Sequence, residues 1–534
     1  MDEVRVRLLR KGDYIFGSFL KPESVDGYIN GVNPGDKADV LGRFPFSESS
    51  VDEAVEYANI GAKTWRRTSL NDRAHALRRF REHIARYQER LAELITRETG
   101  KPTWEARHEV IATVRALDLF LDDGMGFLAP RVIDEIGARS DPMPRGVVAV
   151  LTPYVFPLLV PATNTAAAML AGNAVVFKTS KFTPGVGQAI AEIWDRCTIP
   201  RGVFNMIQGP GSIIGERLVR HVQTDAVLFT GSFQTASTIR RSTFERPEIS
   251  VAIHSGGKGI SIVLENADLD QAVYETMVGA FLTTGQRHNS TGRVFVCDKI
   301  FDAFVQKLVK QTSLLGVGYG RKPDTFMGPL ISENFRTRYG RYCKALLDKG
   351  HEPLTPVGPE RASKRRGFYA KPAIFQVHWE NGAAFLNEEP PGPILLVYRV
   401  ANWEEAASLH NQALYRLSTS VFTHPQNPYL PDIRDRIQTG ALNLNRGTIG
   451  ASLRLASVGL GRSSNGFSTG LDLLRAVTYS RAQLLEGRPL EPNAMLPGTN
   501  WDGEHVDTPT DEIDRDSSSD SAATLEVVGG HSGG

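Results

Sequence analysis

From Gly146 to Thr230 the chain alternates short apolar runs with helix-length segments, a rhythm that few folds accommodate. Gly146-Val-Val-Ala-Val-Leu151 and Asn173-Ala-Val-Val-Phe-Lys178 read as strands buried on both faces, separated by the Ala/Leu-rich helical segment from Thr165 to Leu170. A helix from Gly185 to Cys197 leads to Val203-Phe-Asn-Met-Ile207, and a further helix leads to Ala226-Val-Leu-Phe-Thr230. Strands and crossover helices in this order predict an open α/β domain, in which ligands sit beyond the carboxyl ends of the strands. Lys178 falls at such an end.

Upstream, Ser50-Val-Asp-Glu53 has capping-box spacing for a helix start running toward Trp65. Leu77, Phe80, Ile84, Tyr87, Leu91 and Leu94 recur at helical spacing, predicting one long amphipathic helix from Ala76 to Glu98 that ends near Gly100-Lys-Pro102.

A chain of 534 residues with 41% hydrophobic content has material for several cores. With 61 basic and 60 acidic residues its formal net charge is +1, which makes no case for nucleic acid or a membrane surface as partner. The apolar run Phe156–Pro161 is interrupted by proline and falls short of the roughly 20 residues of a membrane span. Met1–Arg10 lacks the apolar core of a secretory signal, so a cytoplasmic location is expected. Cys197, Cys297 and Cys343 are too widely spaced for a disulfide framework or metal knuckle and read as buried thiols. Residues 502–534 hold nine Asp or Glu against one Arg, with Ser517-Ser-Ser519 and little apolar content, the composition of a disordered acidic tail.

Two glycine-containing stretches suit a nucleotide. Gly209-Pro-Gly211 with Gly215 permits close turns, and Phe229-Thr-Gly-Ser232 sets a glycine and a hydroxyl at a strand end, where a diphosphate is admitted and a helix N-terminus favours its charge. Neither is the Gly-x-Gly-x-x-Gly fingerprint, and ordinary turns use the same residues.

The order of these stretches resembles the aldehyde dehydrogenase superfamily over roughly residues 14 to 490. Phe177-Lys-Thr-Ser180, Phe229-Thr-Gly-Ser232 and Gly256-Gly-Lys258 follow its sequence of motifs. So do Glu98-Thr-Gly-Lys-Pro102, Leu170-Ala-Gly-Asn173, Met327-Gly-Pro-Leu330, Glu388-Glu389 with Gly392-Pro393, and Leu417-Ser-Thr-Ser-Val-Phe-Thr423. Phe281-Leu-Thr-Thr-Gly-Gln-Arg287 and Leu442-Asn-Leu-Asn445 resemble most the succinylglutamate-semialdehyde branch.

The resemblance implies an α/β protein with an open dinucleotide-binding domain (14–122 and 146–252), a second α/β catalytic-type domain (253–469) and a β-strand oligomerisation arm (123–145 and 470–490). Residues 491–534 are then a linker and the acidic tail. It implies a homodimer or higher homo-oligomer, whose arm strands cover otherwise unpaired edges. NAD or NADP is the implied cofactor: Lys178 resembles the lysine at the adenosine ribose, Ser232 a diphosphate contact beside the Gly209 turn, and Glu389 the carboxylate at the nicotinamide ribose. Lys181 stands where many relatives carry a glutamate for the adenosine 2′-hydroxyl, a change that suits a 2′-phosphate. Pro390-Pro391 and Ala236 also depart from the family pattern.

The larger departures are chemical. Aldehyde oxidation in this family uses a thiolate nucleophile, an oxyanion-binding asparagine and a glutamate base. The matching positions here hold His288 in Phe281-Leu-Thr-Thr-Gly-Gln-Arg-His288, Val155 in Thr152-Pro-Tyr-Val-Phe-Pro157, and His254 in Val251-Ala-Ile-His-Ser-Gly-Gly257. Imidazole can replace a carboxylate base, but valine supplies no donor, and loss of one such donor costs about 3 kcal/mol of transition-state stabilisation. Cys297 lies nine positions beyond His288 in a strand-like run and offers no replacement nucleophile.

These residues lead to two readings. One is a homologue without ordinary cysteine-dependent oxidation, acting in ligand binding, assembly or regulation. The other is an NAD(P)-dependent oxidoreductase using histidine-centred chemistry on a small carbonyl compound. A Ser-His hydrolase built from Ser290 or Thr291 with His254 lacks a nucleophile elbow, and a metal pocket at His254 and His288 lacks a third ligand, so no metal is assigned.

Overall fold

The apolar runs at 147–151 and 174–178 are neighbouring parallel strands, every residue buried. The computed structural model describes residues 11–360, 366–378, 385–450, 452–485, 500–501 and 504–505. In the first sheet the order is Ser250–Ser255, Ala226–Gly231, Val147–Leu151, Ala174–Lys178, Phe204–Ile207, Asp13–Ile15, Ser18–Leu20. Its first five strands run parallel and the last two antiparallel. Chain order reverses between Val147–Leu151 and Ala226–Gly231, so the loops leaving their carboxyl ends diverge around a crevice.

A second sheet has the order Glu352–Pro353, Ala373–Gln376, Ile394–Val400, Thr291–Cys297, Gly259–Val263, Ser418–Phe422, Ala441–Leu444, parallel except at its first pair. The segment Gly256-Gly257-Lys258 alone joins the edge strand of the first sheet to an inner strand of the second. The expected division at 252/253 falls inside the strand Ser250–Ser255, which pairs with Ala226–Gly231 along its whole length. The first sheet therefore ends at Ser255.

The described residues fall into two compact units, 11–131 with 140–482, and 132–139 with 483–485, 500–501 and 504–505. In the sequence pieces assigned to the arm, the helix Thr103–Phe127 overruns the expected start, and strands occupy Arg131–Ile133, Ala138–Pro144 and Thr478–Leu484. Leu473, Leu474, Ala476 and Val477 pack into the first core instead. In the smaller unit the Leu485 amide donates to the Gly137 carbonyl at 3.0 Å. The acidic tail lies outside the described residues apart from the short pair Asn500–Trp501 and Glu504–His505.

The amphipathic stretch from Ala76 to Glu98 is two helices, Leu70–Arg86 and Gln88–Thr99, divided at Tyr87 with φ −99° and ψ 21°. The change of direction lets Leu77, Phe80 and Ile84 share one core with Leu91, Leu94 and Ile95, where Phe80 stacks on Trp194 at 4.0 Å. The Ser50–Glu53 capping box does not form: the helix starts at Ser49 after Glu48, which is itself helical and makes no side-chain cap. Ser69 is the cap that does form, accepting from the Asp72 amide at 3.1 Å.

Glu98-Thr-Gly-Lys-Pro102 is a structural knot. Both Glu98 oxygens accept from the amides of Gly185 and Val186, at 2.7 and 2.8 Å, and so cap the helix Pro184–Asp195. Gly100 ends its helix at φ 78°, where a Cβ would stand 2.3 Å from Pro329. Lys101 pairs with Glu109 at 2.6 Å, both side chains buried, and the other Glu109 oxygen accepts from the Leu158 and Leu159 amides at 3.0 and 3.2 Å. That carboxylate anchors the helix Leu159–Leu170 and the loop carrying Val155. Among the described residues no helix is long and apolar enough to cross a membrane.

Candidate functional site

At the joining segment Gly256-Gly257-Lys258, His254, His288 and Glu389 meet. His254 lies near the end of the strand Ser250–Ser255, in register with Thr230. From the second sheet, the Lys258 amide donates to the His288 carbonyl at 2.6 Å and the Gly259 amide to the Ser290 carbonyl at 2.7 Å. From a third direction, the Glu389 carboxylate accepts from the Gly257 amide at 2.8 Å. Glycine is required here by contact: a Cβ at Gly256 would stand 2.1 Å from a Glu389 oxygen, and one at Gly257 2.9 Å from the His288 carbonyl.

The approach to His288 is an unusual backbone. Thr283, Thr284 and Gly285 have φ of 56°, 56° and 61°, a left-handed run that β-branched residues adopt at a cost of order 1–3 kcal/mol each. Their side chains hold it: the Thr283 hydroxyl donates to Glu105, Thr284 to the Gly328 carbonyl at 3.0 Å, and the Lys258 ammonium to the Gly285 carbonyl. Arg287 donates to Thr283 Oγ1 at 2.6 Å and to Glu105 at 2.9 Å, and its guanidinium lies 5.0 Å from the Phe156 ring. Lys101 faces the same ring at 4.4 Å. The loop bearing Val155 is thereby tied to the loop bearing His288.

Both imidazoles are partly covered, and each Nε2 is buried without a hydrogen-bond partner. Burial pushes His254 down to about 4, with His288 adding to the effect. Burial also lowers His288, Glu389 opposing and Lys258 reinforcing. Near neutral pH His254 is therefore uncharged and able to accept a proton. Burial takes Lys258 down to about 8 against the pull of Glu389, while Arg293 lowers it further. Val155 is buried and apolar, as its side chain requires.

No Ser-His pair forms. The Ser290 hydroxyl has no partner, and Thr291 exchanges a 2.9 Å hydrogen bond with Thr448. Among the described residues no group of three or more His, Cys, Asp or Glu is placed to hold a metal ion. Cys297 closes the strand Thr291–Cys297, which begins three residues after His288, so the strand alone puts about 20 Å between its two ends. Burial raises Cys197 to about 12 and both Cys297 and Cys343 to about 11.

The nucleotide-type residues line strand ends of the first sheet. Lys178 ends its strand, buried, with its ammonium donating to the Gly209 carbonyl at 3.2 Å; burial lowers it to about 8, with Lys181 contributing. An ammonium carries three donors, so two remain for a sugar hydroxyl. Ser232 caps the helix Phe233–Ser242, accepting from the Thr235 amide at 3.3 Å, and is exposed. Gly211 faces open space. Ala236 packs into the apolar core, so its methyl group does not crowd that helix's N-terminus. Lys181 is exposed, its ammonium 5.2 Å from the Phe182 ring. These donors and the open turn fit a dinucleotide phosphate and ribose at one end, and Glu389 fits ribose hydroxyls at the other.

Sequence reasoning missed Arg293, Glu105 and Glu109. Arg293 and Glu105 find their partners across long stretches of chain, and Glu109, paired with nearby Lys101, finds its two amides 49 and 50 residues away.

The aldehyde dehydrogenase family profile matches residues 19–482. The N-succinylglutamate 5-semialdehyde dehydrogenase of Paraburkholderia xenovorans (strain LB400) is 34% identical over 438 residues, 81% of this chain and 88% of the relative. The alpha-ketoglutaric semialdehyde dehydrogenase of Bacillus subtilis (strain 168) is 30% identical over 85% of this chain and 93% of its own length. Among solved structures, an NAD-dependent aldehyde dehydrogenase from Sinorhizobium meliloti superposes with a TM-score of 0.85 at 28% identity, covering 92% of this chain and 98% of that one. With the motif order, the two sheets and these matches in agreement, the chain belongs to the aldehyde dehydrogenase family and has its fold.

Proposed function

We propose that this family member binds NAD or NADP but lacks thiol-dependent aldehyde oxidation, and acts through ligand binding, assembly or regulation. The observation that carries the reading is the trio His288, His254 and Val155, with every cysteine buried elsewhere and its thiol held protonated. An imidazole does not open the thioester route, and the valine at 155 supplies no donor for a developing oxyanion. Relatives that share the fold are described as NAD-dependent or as complexes with NAD or NADP, which supports nucleotide retention.

Lys178, Ser232 and the Gly209–Gly211 turn would hold the adenosine and diphosphate, Glu389 the second ribose, and Lys181 would favour a 2′-phosphate. When bound, the nicotinamide supplies hydride acceptance. This chain's residues would orient it, keep His254 and His288 neutral beside it, and admit a small carbonyl compound as ligand.

Assembly as a homodimer or higher oligomer is part of the proposal, supported by exposed Val132, Ile136, Leu484 and Leu485 in the arm pieces. A cytoplasmic location fits three cysteines that are all free thiols.

The test is titration of the purified chain with NAD and NADP, followed by assay on short and acidic aldehydes. Saturable binding without aldehyde-dependent cofactor reduction is expected. Reduction would favour the second reading, histidine-centred oxidoreduction, which the two unpartnered Nε2 atoms support. Absence of binding to either nucleotide would remove the nucleotide part of the proposal.

A further inference from the structure

Arg293 is a fully buried arginine on the inner strand Thr291–Cys297 of the second sheet. Among the described residues it makes no ion pair; its guanidinium is spent on main-chain carbonyls. Nε and Nη2 donate to the Phe385 carbonyl at 3.3 and 3.0 Å, and Nη2 also donates to the Glu388 carbonyl. Nη1 has no partner. Burying a cation that satisfies only part of its hydrogen-bonding capacity is expensive, and the two carbonyls it grips lie one and four residues before Glu389.

We infer that Arg293 is a positioning residue for Glu389, holding the segment 385–388 so that the carboxylate stays seated on the Gly256-Gly257 turn and faces the nucleotide pocket. The inference rests on the nucleotide-binding reading. Two anchors then define the carboxylate: Arg293 fixes the main chain leading to it, and the Gly257 amide fixes one of its oxygens. After Glu389 come two prolines, which restrict the chain but donate no amide hydrogen bond; on the leading side Arg293 acts together with the buried Phe385 and Leu386 and with the Leu414 amide, which donates to Asn387 at 2.9 Å. Lysine keeps the charge, but its single ammonium cannot reproduce the planar Nε–Nη2 edge that grips the Phe385 carbonyl while Nη2 also reaches the Glu388 carbonyl.

The consequence is specific to one half of the ligand. ADP carries the adenosine and diphosphate, which meet Lys178 and Ser232, but lacks the second ribose that Glu389 would receive. Arg293→Met and Arg293→Lys in the full chain should therefore weaken NAD about tenfold, the loss expected when a charged hydrogen-bond acceptor is misplaced, and leave ADP within about twofold of wild type. Glu389→Gln, which disturbs no core packing, should reproduce the selective loss. The Arg293→Lys/Glu389→Gln double variant should bind NAD no more than about twofold worse than the weaker single variant, because both act on one contact.

Equal weakening of NAD and ADP by Arg293→Lys would overturn the inference in favour of a general structural role. So would additive losses in the double variant, or a normal NAD affinity in Arg293→Lys. If Arg293→Met does not fold, Arg293→Lys and the Glu389→Gln comparison still decide. Wild-type protein that binds neither NAD nor ADP would instead defeat the nucleotide-binding reading itself.

Discussion

Removing Lys101 tests how the loop carrying Val155 is held. Lys101 and Glu109 form an ion pair at 2.6 Å with side chains 2% and 1% exposed, and Glu109 also receives two amides at the start of the helix Leu159–Leu170. Breaking a buried pair by deleting one partner costs about 3–5 kcal/mol, because the remaining charge is left uncompensated. In Lys101→Met the Glu109 carboxylate keeps both amides and the positive end of the helix, which offsets about 1 kcal/mol. The net expectation is a local loss of about 2–4 kcal/mol. In Glu109→Met the ammonium keeps only the Phe156 ring, and the two amides lose their acceptor, so the loss should be larger. The double variant buries no unpaired charge and should cost less than the sum of the two, with a coupling of about 2 kcal/mol. Hydrogen exchange of the amides in Leu159–Leu170 reads this directly, since a chain of this size need not unfold in one step. Protection in Lys101→Met should fall at least about 30-fold, the equivalent of about 2 kcal/mol. A change under about threefold would refute the view that the pair is uncompensated without its lysine.

His288→Cys with His254→Glu and Val155→Asn should introduce aldehyde-dependent NAD(P) reduction, and reverting the asparagine should cost about 100-fold in kcat. A folded, nucleotide-binding triple variant without activity would mean that more than these three side chains has changed. His410 is fully buried between Thr419 and Asn411, and burial takes it down to about 4. The unfolded chain therefore takes up its proton first: the contribution is intact above about pH 6.5 and is lost as pH falls toward 4, about 3 kcal/mol in all and about 2 by pH 5. The fall in urea midpoint between pH 7 and pH 5 should be smaller in His410→Gln, and an unchanged fall would contradict the assignment. Lys178→Met should weaken NAD and ADP alike, measured by titration, because its ammonium lies at the Gly209 end of the pocket; unchanged ADP affinity would remove Lys178 from the site.

Four of the seven strands of the first sheet were legible because a buried strand is a local property. Val147–Leu151, Ala174–Lys178, Phe204–Ile207 and Ala226–Gly231 each announce themselves in four to six consecutive residues. The reading of positions 155, 254 and 288 has a different basis, since ordered motifs count residues along the chain and need no contacts. Helix ends were read less well. The spacing from Leu77 to Leu94 fits one helix, and only packing against Phe80 and Trp194 reveals the turn at Tyr87. Likewise Ser50 has capping spacing, while the helix starts one residue earlier.

By itself, then, the sequence determined four of the seven strands of the first sheet, which family the chain resembles, and which side chains stand at 155, 254 and 288. Tertiary structure decided that His254, His288 and Glu389, spread over 136 positions of chain, converge on the turn at 256–258. It also decided that Arg293 grips the segment before Glu389 and that Glu109 anchors the helix behind Val155. The physical reason is range. Periodicity and propensity act over a few residues, whereas a buried charge is stable only beside partners that the fold brings in from elsewhere.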